Sequence, residues 1–308
     1  MLIAIAASAG AFTAPRSLPT AMKSRTAMQF SAAEAELVPR DVLFGNPEYA
    51  APSVTPDGSK LAYLKPVDGV LNAWVRSATG GDDRVVTEDS YRGIRQIFWA
   101  EDSKTLLYLQ DDGGDENFHL FAVDVSKEGS KARDLTPFDG AKAQNVITNK
   151  RFPDELLVAV NARDKAQFDM YRVQLESGDI KLDTENPGGI VGWGSEDESF
   201  EVREGIRVNP DSSKTVLVRD STKAEWRDLA VFPYGEDGGM VDFCNDGEHA
   251  LMTSSVGRET TALTKVKLSD GSTTEVIAFN DKADCGGIML DEDTKEVRAV
   301  SFNYARTE

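Results

Sequence analysis

Two cysteines and two histidines are all that the 308 residues hold. Cys244 and Cys285 are too few for a disulfide framework, and neither stands in a CxxC or CxxH spacing. They read as free, mostly buried thiols. His119 and His249 alone exclude a histidine-rich metal site and leave a histidine catalyst only two candidates. From residue 35 onward no apolar run approaches the ~18 residues of a transmembrane helix. Basic residues are outnumbered, 34 to 52, and the net charge is −18. A surface of that sign repels nucleic acid and anionic membranes, so neither is an expected partner of the mature chain. After residue 45 no sustained 3.6-residue period occurs, which sets helical folds aside. What remains, at 40% hydrophobic and 28% charged, has the composition of a globular protein.

The first 33 residues, MLIAIAASAGAFTAPRSLPTAMKSRTAMQFSAA, contain no Asp or Glu, and their charges are Arg16, Lys23 and Arg25. A short apolar stretch, Leu2–Ala7, ends in the small residues Ala9, Gly10 and Ala11. Phe12 follows, then a Ser/Thr/Ala/Arg tract. This is signal-peptide and then transit-peptide composition. The join ASAGA-FTAP resembles the junction of bipartite plastid presequences, with a mitochondrial or secretory leader as the alternative. Residues 1–33 are therefore expected to be a targeting presequence, 34–45 a linker, and 46–308 the fold. Without the leader the chain carries about −21.

A phrase recurs along the remainder: strand, polar turn, then a strand rich in Leu, Val and Ala. It reads PSVTPDGSKLAYLK (52–65), QIFWAEDSKTLLYLQ (96–110), ITNKRFPDELLVAV (147–160), IRVNPDSSKTVLVR (206–219), VDFCNDGEHALMTS (241–254) and, more weakly, IMLDEDTKEVRAVS (288–301). The turn acids Asp57, Asp102, Asp154, Asp211, Asp246 and Asp293 stand 45, 52, 57, 35 and 47 residues apart. Asp can bond its own backbone there, and Gly or Ser tolerates the tight turn. The near-continuous apolar second strand reads as buried on both faces. A second strand pair follows most phrases, such as HLFAVDVS before RDLTPF. Four strands per unit, repeated radially, predict an all-β β-propeller of five complete four-stranded blades and a partial sixth. The expected blades are 46–88, 92–140, 143–186, 188–236 and 240–280, with the sixth from about 284. Trp74, Trp99, Trp193 and Trp226 read as packing between blades.

The run DVLFGNPEYAAPSVTPDGSKLAYL, with AWVRSATGG, RGIRQIFWAEDSKTLLYLQDDGGDENFHLFAVDV, RDLTPF and DMYRVQLESG, resembles the N-terminal propeller of the prolyl oligopeptidase family of serine peptidases. Its acylaminoacyl-peptidase and dipeptidyl-peptidase-like branch is the nearer match, and TolB-like propellers share the turn. In that family the propeller caps an α/β-hydrolase domain whose Ser lies in a G-x-S-x-G elbow. This chain has no G-x-S-x-G, and GWGSEDE (192–198) has the wrong spacing. The resemblance thus implies peptidase ancestry, a peptide substrate and a hydrolase partner missing from this chain or encoded downstream. No residue here is a catalytic candidate, and no cofactor is implied. The expected function is to gate and select peptides for that hydrolase. The alternative is a stand-alone propeller that binds a protein or peptide.

Residues 107–124, LYLQDDGGDENFHLFAVD, carry the candidate site. Asp111, Asp112, Asp115 and Glu116 crowd one turn, and His119 follows. The calcium-loop spacing is not met, so no metal site is expected. In the resembled family, acids on this face engage a substrate amino terminus or a hydrolase arginine. That reading assigns an ionic contact to Glu116 and Asp115, with Asn117 and Arg95 nearby. The competing reading is a solvated hairpin tip, preferred for Asp111, Asp112, Gly113 and Gly114. Asp115 and Glu116 are adjacent and would point to opposite sides of a strand, which argues against a concerted acid–base pair. Turns expected on the same face include 161–168, 219–226 and 255–261, with Arg163, Arg219 and Arg258 as surface ion-pair residues.

Overall fold

The computed structural model describes residues 37–304. The presequence expected at 1–33 lies outside the described residues. The chain divides after Gly45. The earlier unit contributes one short helix, α1 (Arg40–Phe44), with no buried residue. Everything below concerns the unit from Asn46 onward.

That unit is a β-propeller of five four-stranded antiparallel sheets and one two-stranded sheet. Blade one holds β1 (Ala50–Val54), β2 (Lys60–Val67), β3 (Val70–Ser77) and β4 (Arg84–Val85). Blade two holds β5 (Ile97–Trp99), β6 (Thr105–Gln110), β7 (His119–Asp124) and β8 (Arg133–Asp134). Blade three holds β9 (Ala143–Thr148), β10 (Glu155–Asp164), β11 (Gln167–Gln174) and β12 (Ile180–Thr184). Blade four holds β13 (Ile190–Ser195), β14 (Val202–Val208), β15 (Lys214–Val218) and β16 (Arg227–Phe232). Blade five holds β17 (Gly238–Phe243), β18 (His249–Ser254), β19 (Ala262–Lys267) and β20 (Thr273–Ala278). Blade six shows β21 (Cys285–Leu290) and β22 (Val297–Phe302).

Strand order follows sequence order in every blade, so the connections sort onto two faces. Turns between first and second and between third and fourth strands share one face, here the tip face. Turns between second and third strands, and the links from blade to blade, share the other, here the loop face.

The apolar second strands serve two wedges at once. Leu106 joins the cluster shared with blade one, while its neighbour Leu107 joins the cluster shared with blade three. In β10, Leu156, Val158 and Val160 face blade two and Leu157 and Ala159 face blade four. A side chain completely removed from water on each face leaves no place for a polar alternation, hence the continuous apolar run. Each such Leu contributes roughly 2–3 kcal/mol of burial. Trp99 and Trp193 are buried in these wedges, and their indole N–H groups donate across blades to the Ser53 and Phe168 carbonyls, both at 3.0 Å.

Blade four departs from the expected phase. The turn NPDSS (209–213) joins β14 to β15 and lies on the loop face, whereas the first-to-second-strand turn is 196–201. Placing Asp197 rather than Asp211 in the series gives spacings of 45, 52, 43, 49 and 47, a more even repeat. The reason is chemical. Asp211 accepts the Ser213 N–H at 3.0 Å as Asp57 accepts that of Ser59 at 2.9 Å, so the turn looks alike wherever it closes a hairpin. The true first pair, β13 and β14, carries Gly192, Gly194 and Gly205 and lacks the aliphatic signature.

It follows that 219–226 joins β15 to β16 on the tip face, not the loop face. Arg219 is buried, not a surface ion-pair residue. It donates to the carbonyls of Val202 (2.7 Å) and Thr222 (3.2 Å) and to the Thr184 hydroxyl (2.6 Å), and lies 4.5 Å from the Trp226 ring centre.

Candidate functional site

The loop face of blade two is built by the turn between β6 and β7. Gly113 and Gly114 take φ of 62° and 98°, and Glu116 is left-handed at 61°. Gly114 is needed for its positive φ, and the Arg92 guanidinium packs over it, Nη1 lying 2.6 Å from where a Cβ would stand. Asp111 is not a solvated tip residue. Its side chain is only 6% exposed, accepts the Glu116 N–H at 3.3 Å and stands 3.8 Å from Nη2 of Arg92. Asp115 accepts from the Asn117 N–H at 3.0 Å and from its amide side chain at 2.9 Å. These hydrogen bonds hold the Asp115 carboxyl below its ordinary value. His119 pairs with Asp134 at 2.7 Å, across the sheet from β7 toward β8.

These residues wall a cavity of about 620 Å³. One side is the turn, Gln110–Gly113 with Asp115 and Asn117. The link from blade one supplies Asp89, Tyr91 and Arg92, and the link to blade three supplies Asp139 and Gly140. Six carboxylates, those of Asp89, Asp111, Asp112, Asp115, Asp134 and Asp139, face one guanidinium and one imidazole. Such a wall favours a cationic guest, and most of all one whose charge is already partly desolvated. Among the described residues no His/Cys/Asp/Glu group is arranged to hold a metal ion.

Asp115 and Asn117 are therefore on the cavity wall. Glu116 and Arg95 are exposed and are not on it. The guanidinium that meets the acids belongs to Arg92, which the spacing within the turn could not suggest because it arrives on the link between blades. Arg163, on the loop face of blade three, grips the wholly buried Asp169 with two hydrogen bonds of 2.9 Å, which makes it structural.

The loop face has a second property. In the unit from Asn46 onward the exposed aromatic residues are Tyr49, Tyr91, Tyr234, Phe279 and Tyr304. All five sit at strand starts, blade links or second-strand ends that the topology assigns to this face. The tip face has instead a polar axial cavity, also about 620 Å³, walled by residues of all six blades. Val54, Glu101, Asn149, Asp197, Asn245 and Lys295 each come from a different blade. Lys295 closes it, binding Asp197 of blade four and Asp242 of blade five, the latter at 2.8 Å. No single turn of the sequence announces this cavity, since each contributes only one to four residues.

No family model matches the chain. It is 40% identical over 279 residues, 89% of its length, to dipeptidyl aminopeptidase BIII of Pseudoxanthomonas mexicana. The solved β-propeller domain of the Trilobed protease from Pyrococcus furiosus superposes with a TM-score of 0.50 at 17% identity, covering 85% of this chain and 80% of that one. A prolyl endopeptidase structure gives a TM-score of 0.54 at 16% identity, covering 82% of this chain and 39% of that one. The chain spans about two-fifths of the length of the curated relatives it matches, 39% and 38%.

Proposed function

We propose, for a chain that belongs to the dipeptidyl aminopeptidase and prolyl oligopeptidase family of peptidases, that its propeller selects and admits peptides for an α/β-hydrolase domain carried elsewhere in the same protein. The observation that carries this reading is the loop face, which holds five exposed aromatic residues, one of them, Tyr91, on the wall of a six-carboxylate cavity. Exposed aromatics gathered on one side suit a docked domain. The acidic cavity beside them suits the ammonium of a peptide amino terminus. Asp115 contacts that ammonium, Asn117 holds Asp115 in place, and Glu116 and Arg95 meet the hydrolase at the rim.

The test is the whole polypeptide acting on a peptide with a free amino terminus and on its N-acetylated copy. The free peptide is expected to be cut far better, and Asp115→Asn to raise KM for it while leaving kcat in place. Equal rates on both peptides, unaffected by Asp115→Asn, contradict the assignment. The acid-free leader makes the plastid the proposed compartment, and a fluorescent fusion of residues 1–45 that stays in the cytosol overturns that part.

A further inference from the structure

Glu204 of β14 lies at the seam between blades four and five. It pairs across the sheet with Gly194 and with Val218, and Val218 belongs to the apolar cluster shared with blade five. The Glu204 carboxyl lies over Gly194, where a Cβ would meet Oε2 at 2.1 Å. The absent side chain at residue 194 is what makes room for it. Part of Glu204 still touches solvent, but its carboxyl accepts no hydrogen bond from the other described residues.

The charges around it come from several elements. Asp242 of β17 acts on it through space. Lys295, from the turn between β21 and β22, binds Asp242 and also Asp197 of the turn between β13 and β14. Arg203, on the same strand as Glu204, also reaches the seam but makes no ion pair with Glu204. Its Nε donates to the Arg219 carbonyl at 3.0 Å, and its guanidinium lies 5.1 Å from the Phe243 ring centre. One ammonium therefore ties the two blades together through a carboxylate on each. Glu204 adds a third carboxyl to the seam with no cation of its own.

We propose that the seam between blades four and five is a pH-sensitive joint, shut while Glu204 is protonated and driven open, against the Lys295 tie, when that proton leaves. Burial first, and the Asp242 charge second, push Glu204 up to about 7. In an opened seam the carboxyl meets water and returns to the ordinary carboxylate range. Closing the seam therefore takes up a proton, and raising the pH through about 7 favours opening. Burial likewise raises Asp242, with the Lys295 ammonium opposing. This joint does not depend on which peptide or domain meets the loop face.

Hydrogen–deuterium exchange on the whole polypeptide at pH 6 and pH 8, corrected for chemical exchange, tests it. Segments 202–208 and 238–243 are expected to lose about tenfold protection between the two pH values, while β6 and β10 keep theirs. Glu204→Gln is expected to abolish that loss. Asp242→Asn, which removes the neighbouring charge, is expected to move the transition to lower pH. The same loss in Glu204→Gln as in the native protein, or no loss in the native protein, overturns the proposal. Should Glu204→Gln fail to fold, an unmoved transition in Asp242→Asn overturns it alone.

Discussion

Arg227, at the start of the fourth strand of blade four, donates its guanidinium N–H to the Leu268 carbonyl at the end of the third strand of blade five, at 3.0 Å. The same reach occurs twice more. Arg133 of blade two donates to the carbonyls of Leu175 and Glu176 in blade three, the second at 2.9 Å, and Arg84 of blade one donates to that of Val125 in blade two. The acceptors Val125, Leu175 and Leu268 are the last residues of the alternating runs VDV, VQL and VKL that close the third strands. The repeat thus carries a staple between neighbouring blades as well as a fold within each one.

Removing a staple should loosen the joint between two blades without touching either sheet. Arg133→Ala is expected to lower stability by about 1–2 kcal/mol, the worth of a charge-assisted hydrogen bond to carbonyl acceptors. Arg92→Ala removes a guanidinium of similar exposure that bridges no blades in this way, and should cost less. Urea unfolding of the two variants checks the order, and equal midpoints would contradict it.

The staple at blade five also has a steric counterpart. Gly271, in the turn between β19 and β20, has φ of 70°, and a Cβ there would meet the Leu229 carbonyl oxygen of blade four at 2.1 Å. Gly247 has the same φ with open space around it. Gly247→Ala is expected to cost about 1 kcal/mol, the left-handed penalty alone. Gly271→Ala must also move backbone against backbone and should cost at least about 2 kcal/mol more. Thermal unfolding of the pair separates the two terms, and equal losses would remove the interblade contact from the account.

Much of this architecture was legible in the sequence. The acids at the hairpin tips and the runs at Leu106–Leu107 and Leu156–Val160 marked out blades because turn chemistry and two-sided burial are local. Blade four was read out of phase because Gly192, Gly194 and Gly205 carry no apolar signal, while NPDS imitates a tip. The staples were illegible for another reason, since donor and acceptor lie about 40 residues apart and only the ring closes the gap. At the candidate site Asp115 and Asn117 announced themselves through turn composition. Tyr91 and Arg92 did not, because they belong to the link between blades.

The tip at Thr55–Ser59 offers a pH test. The Thr55 hydroxyl donates to Asp57 at 2.7 Å and the Ser59 N–H at 2.9 Å. The side-chain hydrogen bonds from Thr55 and Ser59 lead in lowering this carboxyl to about 2 from 3.8. A carboxyl lowered by folding contributes stability above its unfolded value, and that contribution is lost as pH falls through the folded one. The turn should therefore hold above pH 4 and weaken as pH falls toward about 2. In Thr55→Val the Asp57 midpoint, followed by the NMR shift of its carboxyl carbon, should rise toward 3.8. A midpoint that stays at about 2 would show that the hydroxyl plays no part.

Among the described residues Lys295 is the one cation holding Asp197 and Asp242 together, and its side chain is 11% exposed. Lys295→Met should cost about 3 kcal/mol, because it leaves two partly enclosed carboxylates without a partner. The double change with Asp242→Asn should recover part of that loss. A double variant no more stable than Lys295→Met would mean the pair is not coupled, and a double-mutant cycle by denaturant unfolding measures this directly.

The central claim is that this propeller is one part of a peptidase. The most direct measurement is the native protein itself, captured from cell extract with an antibody to residues 46–304 and treated with a fluorophosphonate that labels reactive serines. The account predicts a labelled band at more than twice the 33.5 kDa of this chain. An unlabelled band at or below 33.5 kDa would contradict it.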